Sequence, residues 1–323
     1  MISYILGLDL GGTKVSAAVL DGEGNIISRA RAKTRAWRDD EEVFATISRV
    51  GHRAVERAGI PVTRLSALGI GTPGPLDPVS GYIIEAANLR FRNFPLGPRL
   101  AEEFGCPVTV DNDVNAGLYG ELKMGAARGA NDVIGLFIGT GIGGGIIANG
   151  ELYHGFSRNA GEFGHMIIQA EGPRCGCGRR GCIEAIASRT AMTRDLKKAI
   201  KRGEKSQLAK LLEKKNENIT SRDLKQAFDD GDQLATKTVL RTAKYLGIAI
   251  GSLINVFGPQ VVVLGGGVIE AFGQSLIERI DRAARKIAFE FAIKDVRIIK
   301  AELGDDAGVI GAAMLARRSL LKD

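Results

Sequence analysis

Apolar residues open the chain in short clusters parted by glycine turns. YILGLDLGGTKVSAAVLDGEGNIISRARA reads as strand, turn, strand, turn, strand. The pattern returns at 133 as VIGLFIGTGIGGGIIANGELYHG. A shift of 128 residues lays Gly7 on Gly135, Leu8 on Leu136, Gly11 on Gly139 and Asp21-Gly22-Glu23 on Asn149-Gly150-Glu151. A glycine hairpin repeated at domain spacing predicts two homologous α/β halves whose turns face a shared cleft. Between the repeats, EEVFATISRVGHRAVERAG has helical periodicity and stops at Gly59, and LSALGIGTPGPLD runs from a short strand into a Pro-Gly loop. VTVDNDVNAGLYGELKMG changes from a strand pattern to a helical one at its Asp-Asn-Asp triplet. In the second half, residues 186–230 are helical and charged, and TKTVLRTAKYLGIAIGSLINVFG is a long apolar-faced helix closed by Gly258-Pro259. VVVLGGGVIEAF is a buried strand entering a triple-glycine turn; VRIIKAELG is a late strand before a last helix, DDAGVIGAAMLARRSLL, expected to fold back onto the first half. This places an N-terminal lobe at 1–117, completed by about 305–323, and a C-terminal lobe at 118–304, with a hinge inside continuous structure near 114–125.

Composition narrows the class. At 323 residues, 45% hydrophobic and 25% charged, the chain suits a soluble two-domain protein, and no apolar run reaches the 18 or so residues that a bilayer span needs. The opening residues lack a basic leader and cleavage site, so a cytoplasmic protein with no membrane partner is expected. The net charge of +7 suits anionic ligands. With aromatics at 6% and no arginine-rich arm, no nucleic-acid partner is expected. Glycine, 43 residues, is about twice its usual share of roughly 7%, which implies close backbone approach at several places. The basic stretch from Lys197 has leucines at helical spacing beneath its charges and reads as a solvated helical face.

Four groups carry candidate chemistry. Asp9, Gly11, Gly12, Thr13 and Lys14 sit at a hairpin tip, where amides can converge on a phosphate without Cβ obstruction and Asp9 could hold Mg²⁺ through water. A tight turn with incidental polar residues is the other reading of those positions. GTGIGGG, Gly139 to Gly145, formally satisfies the dinucleotide fingerprint. That fingerprint must open a helix, whereas here an alternating run follows, so a second phosphate-gripping hairpin at Gly139, Thr140 and Gly141 fits better. His165, Cys175, Cys177 and Cys182, spaced HX9CXCX4C, offer one imidazole and three sulfurs for a closed tetrahedral Zn²⁺ site; reduced thiols without metal are the alternative. In the triplet, Asp111 and Asp113 share one face of a strand, and Asp113 is also placed to cap the following helix.

Together with the turn at Gly265, Gly266 and Gly267, these motifs resemble the ROK family of sugar kinases and regulators over essentially the whole chain. The resemblance implies the α/β fold of the sugar kinase, actin and Hsp70 superfamily: two similar lobes of the actin-like ATPase (ribonuclease H-like) fold around an interdomain cleft. It implies ATP with Mg²⁺, held by Asp9 to Lys14, by the second hairpin and, on the adenosine side, by Gly265 to Gly267. It implies Asp113 as general base at a sugar hydroxyl, with Asn88, Asn112, Glu162, His165 and Glu184 on the sugar, and a structural zinc whose histidine turns its other nitrogen toward that sugar. The expected activity is phosphorylation of a hexose, glucose at its 6-hydroxyl, by a homodimer or homotetramer. Fructose, mannose, allose or N-acetylmannosamine as acceptor, and polyphosphate as donor, stay open. The family's regulators carry a helix-turn-helix ahead of the first phosphate loop, and this chain reaches that loop by residue 9, so a regulatory role would run through a partner.

Overall fold

Strands form where the apolar clusters place them. The computed structural model describes residues 4–34, 39–86, 89–213 and 219–321. It is a mixed α/β structure in two units: Met1–Gly129 with Glu151–Ala160 and Glu302–Asp323, and Ala130–Gly150 with Gly161–Ala301. In the first unit, β1 (Tyr4–Leu10), β2 (Lys14–Leu20) and β3 (Ile26–Lys33) form the antiparallel meander. β4 (Leu65–Thr72) and β5 (Val108–Asn112) add in parallel beside β1, giving the order β3-β2-β1-β4-β5. The second unit repeats this plan. β6 (Val133–Ile138) and β7 (Ile142–Ala148) make a hairpin, and β8 (Val261–Gly265) and β9 (Arg297–Lys300) follow in parallel beside β6. The bounds of β7 are those of β2 displaced by the same 128 residues that align the sequences. A small three-stranded sheet, Leu76–Asp77, Tyr82–Ala86 and Phe91–Phe94, stands where the sequence suggested only a Pro-Gly loop. Its short strands carry too few alternations to declare themselves.

Helix α1 (Asp40–Arg57) starts at the Asp39 cap, which accepts from Glu42 N–H, and buries Val43, Ile47, Val50 and Ala54 in the core of the first unit. α2 (Asp113–Met124) runs unbroken from the end of β5. α3 (Arg189–Lys201) begins at the Ser188 cap, and α4 (Gln233–Phe257) is the long apolar-faced helix, ended by Gly258 in the left-handed region (φ 54°). α5 (Gln274–Ala284) packs along α4. The last helix, α6 (Ala307–Ser319), lies directly on β1, β4 and α2. Gly7 and Gly69 are paired neighbours on β1 and β4, and a Cβ on them would strike the carbonyl oxygens of Val309 and Ala312. Gly311 meets the Ala116 carbonyl in the same way, and Gly120 meets that of Ala307. Backbone rests on backbone here, which only glycine permits.

Glu121, fully buried on α2, anchors the approach to α6. Its carboxylate accepts from Glu302 N–H (3.0 Å), Leu303 N–H (2.8 Å) and Ala126 N–H (2.9 Å), so a buried charge is met by amide dipoles. Among the described residues, no helix is long and apolar enough to cross a membrane.

The glycine contacts give a direct expectation. Gly69→Ala should cost about 1–3 kcal/mol of stability by overpacking. Gly139→Ala, whose added carbon meets nothing within 4 Å, should stay within about 0.5 kcal/mol of wild type. Urea denaturation of both variants against wild type checks the contrast.

Candidate functional site

In the first unit, three parallel strands end together. Asp9 on β1 pairs with Gly71 on β4, and Gly71 pairs with Asp111 on β5, so the hairpin tip and the Asp-Asn-Asp corner are set side by side by register alone. In an open α/β sheet, the carboxyl ends of parallel strands are where ligands bind. Gly71 lets the corner close: a Cβ there would lie 3.3 Å from Asp113 Cα and 3.0 Å from Ala116 Cβ. The turn from Asp9 to Lys14 is held by Gly11 N–H to the Lys14 carbonyl (2.9 Å) and by the Thr34 hydroxyl to the Gly11 carbonyl (2.6 Å). Lys14 reaches Asp305 at 3.0 Å. Burial raises the Asp9 carboxyl to about 6, the Asp113 and Asp305 charges push it the same way, and Lys14 opposes them. Gly308 packs against Asp9, where a Cβ would sit 2.8 Å from Cγ.

At the corner the expected cap is corrected. Asn112, not Asp113, caps α2: its Oδ1 accepts from Val114 N–H (2.9 Å) and Asn115 N–H (3.3 Å). Asp113 is the first helical residue, and its own Oδ1 accepts from Val114 N–H at 2.9 Å. The helix begins at Asp113, one residue earlier than a cap there requires, so the capping position falls on Asn112. Asp111, 4% exposed, accepts from Asn112 N–H (2.7 Å) and Asn115 Nδ2 (3.0 Å), and pairs with His154 Nε2 (2.8 Å).

In the second unit, the Gly139–Gly141 turn opens a strand, as the alternating run after it predicted, and not a helix. Its backbone is tied down by Arg189 N–H to the Gly139 carbonyl (2.9 Å) and by the Thr190 hydroxyl to the Thr140 carbonyl (2.7 Å). Gly266, at φ 84°, is pressed against the Ile138 backbone, so the third glycine turn adjoins the hairpin. A cavity of about 430 Å³ next to Thr140 is lined by Arg189, Arg194, Lys197, Lys198 and Lys201. The start of the basic stretch, read from sequence as a solvated face, thus partly lines a cavity, because α3 begins beneath the turn.

Glu184 links turn and cysteine loop: Oε2 accepts from Ile142 N–H (2.9 Å), and Oε1 lies 3.7 Å from Cys175 Sγ. The ligand atoms of His165, Cys175, Cys177 and Cys182 all fall within 4.8 Å of one another. A Zn–S distance near 2.3 Å puts the sulfurs of a tetrahedron about 3.8 Å apart. Cys177 and Cys182 stand at 3.7 Å, and His165 Nδ1 lies 3.8 Å from Cys175 Sγ. Burial pushes the Cys182 thiol up and the neighbouring thiols reinforce it, a cost that a bound cation would remove. The donor set and spacing therefore fit zinc. His165 Nε2 is left facing Glu162 at 3.9 Å.

The sequence-derived residues thus fall into two groups: Asp9, Gly11 to Lys14, Asn112 and Asp113 in the first unit; Gly139 to Gly141, Glu162, His165, the three cysteines, Glu184 and Gly265 to Gly267 in the second. Asn88 lies outside the described residues. Asp111 was named from sequence as part of the triplet but given no role, and His154 and Gly308 were not found from sequence. His154 stands 43 positions from its partner, and no spacing rule joins them.

A model of the ROK family matches residues 5–319. The chain is 35% identical to a glucokinase of Halalkalibacterium halodurans over 98% of its own length and 95% of that protein. It is 29% identical to a xylose repressor of Caldicellulosiruptor bescii over 99% of its length and 79% of the repressor's. Among solved structures, a ROK family glucokinase from Streptomyces griseus in complex with glucose and AMPPNP superposes with a TM-score of 0.82 at 33% identity, covering 98% of this chain and all of that one. The family match takes in both hairpins, the Asp-Asn-Asp corner and the cysteine loop, and by that extent this chain belongs to the ROK family.

Proposed function

We propose that this protein is an ATP-dependent glucokinase that transfers the γ-phosphoryl of MgATP to the 6-hydroxyl of glucose. The observation that carries the reading is the in-register row of strand ends that sets Asp113, on the first turn of α2, beside the phosphate hairpin of Asp9 to Lys14. The likeness to glucokinases over nearly the full chain supports glucose and ATP as substrates.

Asp113 accepts the hydroxyl proton as the sugar oxygen bonds to the γ-phosphorus and the bond to the β-phosphate oxygen breaks, leaving ADP. Asn112 and Asn88 orient the acceptor from the first unit's residues; Glu162, His165 and Glu184 do so from the second's. Hydroxyls suit such carboxylates, amides and imidazoles because each can be met as donor or acceptor. Gly11 N–H and Gly139 N–H close their turns, so the amides at the tips of the Gly11–Lys14 and Gly139–Gly141 turns receive the phosphates, and Gly265 to Gly267 lie on the adenosine side. The cations at the cavity by Thr140 favour a polyanionic donor. Asp9 and Asp113, two coupled carboxylates beside a Gly308 that leaves room, fit a hard cation held through water. When bound, Mg²⁺ neutralises charge on the transferring phosphates. Zinc, held by His165, Cys175, Cys177 and Cys182, fixes the tautomer of His165 and the course of the loop that ends at Glu184.

The unpaired thiols suit a reducing cytoplasm. Exposed Val256, Phe257, Phe289 and Phe291 on the second unit support assembly into a homodimer or homotetramer.

Asp113→Asn should lower kcat by about 10²–10⁴-fold with glucose binding retained, the usual size of a lost general base. ADP release and glucose titration measure the two separately, and a variant with wild-type turnover removes the base. Across a hexose panel with ATP and with polyphosphate, turnover should be highest with glucose and ATP; sugar binding without ADP release would point to a sugar-responsive regulator instead. Chelation, or Cys177→Ser, should raise the glucose KM, and elemental analysis should give one zinc per chain; a metal-free active protein contradicts the zinc site.

A further inference from the structure

His154 lies in Glu151–Ala160, a short segment of the first unit between two stretches of the second. The segment is fastened at two places, Glu151 to Arg318 of α6 and Arg158 to Asp77 at 3.8 Å, and is closed on itself by Ala160 N–H donating to the His154 carbonyl at 3.0 Å. Its imidazole is delivered to Asp111, 2.8 Å from Oδ2. The other oxygen of that carboxylate is taken by Asn112 N–H and by Asn115 Nδ2.

Asp111 is thus the node of the corner. It sits in the sheet, grips the backbone of the residue that caps α2, and grips a side chain one turn into that helix. A carboxylate so deeply buried is stable only with its oxygens met; losing one partner leaves an unsatisfied oxygen that must turn or draw in water. Each of these responses moves Asn112 N–H, and Asp113 follows it in the chain.

We propose that His154 is a positioning residue for phosphoryl transfer, acting through Asp111 to fix the Asn112-Asp113 corner at the acceptor hydroxyl. The inference rests on the reading of Asp113 as the base. The groups facing the imidazole are Asp111, whose hydrogen bond and charge raise its pKa, and Arg158, which together with burial opposes that rise.

The test uses the full chain in glucose-dependent ADP release. His154→Leu should lower kcat by about 10²-fold, the scale of a misplaced reacting group, and raise the glucose KM while leaving the ATP KM within about twofold. His154→Gln, whose amide can donate to Asp111, should recover about tenfold of that loss. In the cycle with Asp111→Asn, the double variant should be no slower than the slower single one, because one interaction is removed twice. A wild-type kcat in His154→Leu, equal impairment of the Leu and Gln variants, or losses that multiply in the double variant would each overturn the proposal. A mere loss of folded protein would change neither KM. Should His154→Leu not fold, His154→Gln and Asp111→Asn carry the same cycle. Asp113→Asn runs alongside: if it keeps wild-type turnover, the base falls and this inference with it, whereas an inactive Asp113→Asn beside an unaffected His154→Leu removes the inference alone.

Discussion

Direct contact between the backbone of α6 and the sheet of the first unit is the constraint on which the arrangement of Asp9 and Asp113 depends. Gly7, Gly69, Gly120 and Gly311 leave no side chain between the helix and its neighbours, so β1, β4, α2 and α6 close to backbone distance. Gly71 continues the same device two pairings further along β4 and lets the first turn of α2 settle on the strand ends. Two carboxylates that would repel in open water are thereby held near each other, and the rise of Asp9 to about 6 records its burial first and the Asp113 charge second. Structure spent in this way is usually spent at a working site.

The duplicated hairpin shows one local solution serving twice. Each copy gives a glycine turn at the end of an antiparallel pair, with parallel strands continuing from the central strand. The surroundings differ. The first turn faces acidic groups on the ends of β1, on the corner and before α6, which suits a cation shared with phosphates. The second sits over the start of α3 beside a cavity lined by arginines and lysines, which suits the phosphates themselves. Glu184 joins that turn to the His-Cys cluster, so the cysteine loop and the second glycine turn share one carboxylate.

Glu121 and Asp111 show how buried charge is used away from ligands. Neither has a lysine or arginine partner in the hydrogen bonds described; both are met by amides, and Asp111 by an imidazole as well. Such carboxylates fix where segments distant in sequence meet: Glu121 holds the entry to α6, and Asp111 holds the loop that carries His154.

Much was legible in the amino-acid sequence because it is local or repeated. The meanders, the strand-to-helix change at Asp111 to Asp113, the glycine turn that opens a strand, and the HX9CXCX4C spacing follow from periodicity, turn chemistry and the short reach of a metal loop. What escaped depends on partners far apart in the chain. The cap falls on Asn112 because the helix starts at Asp113, where β5 has just ended its pairing with β4. The three-stranded sheet has strands too short for alternation to register. His154 and Gly308 look unremarkable until folding carries them to Asp111 and Asp9. The sequence thus determined which local turns and ligand sets exist, since neighbouring residues decide them; only tertiary packing decided which carboxylates face one another, since that is fixed by glycines and strand register across the sheet.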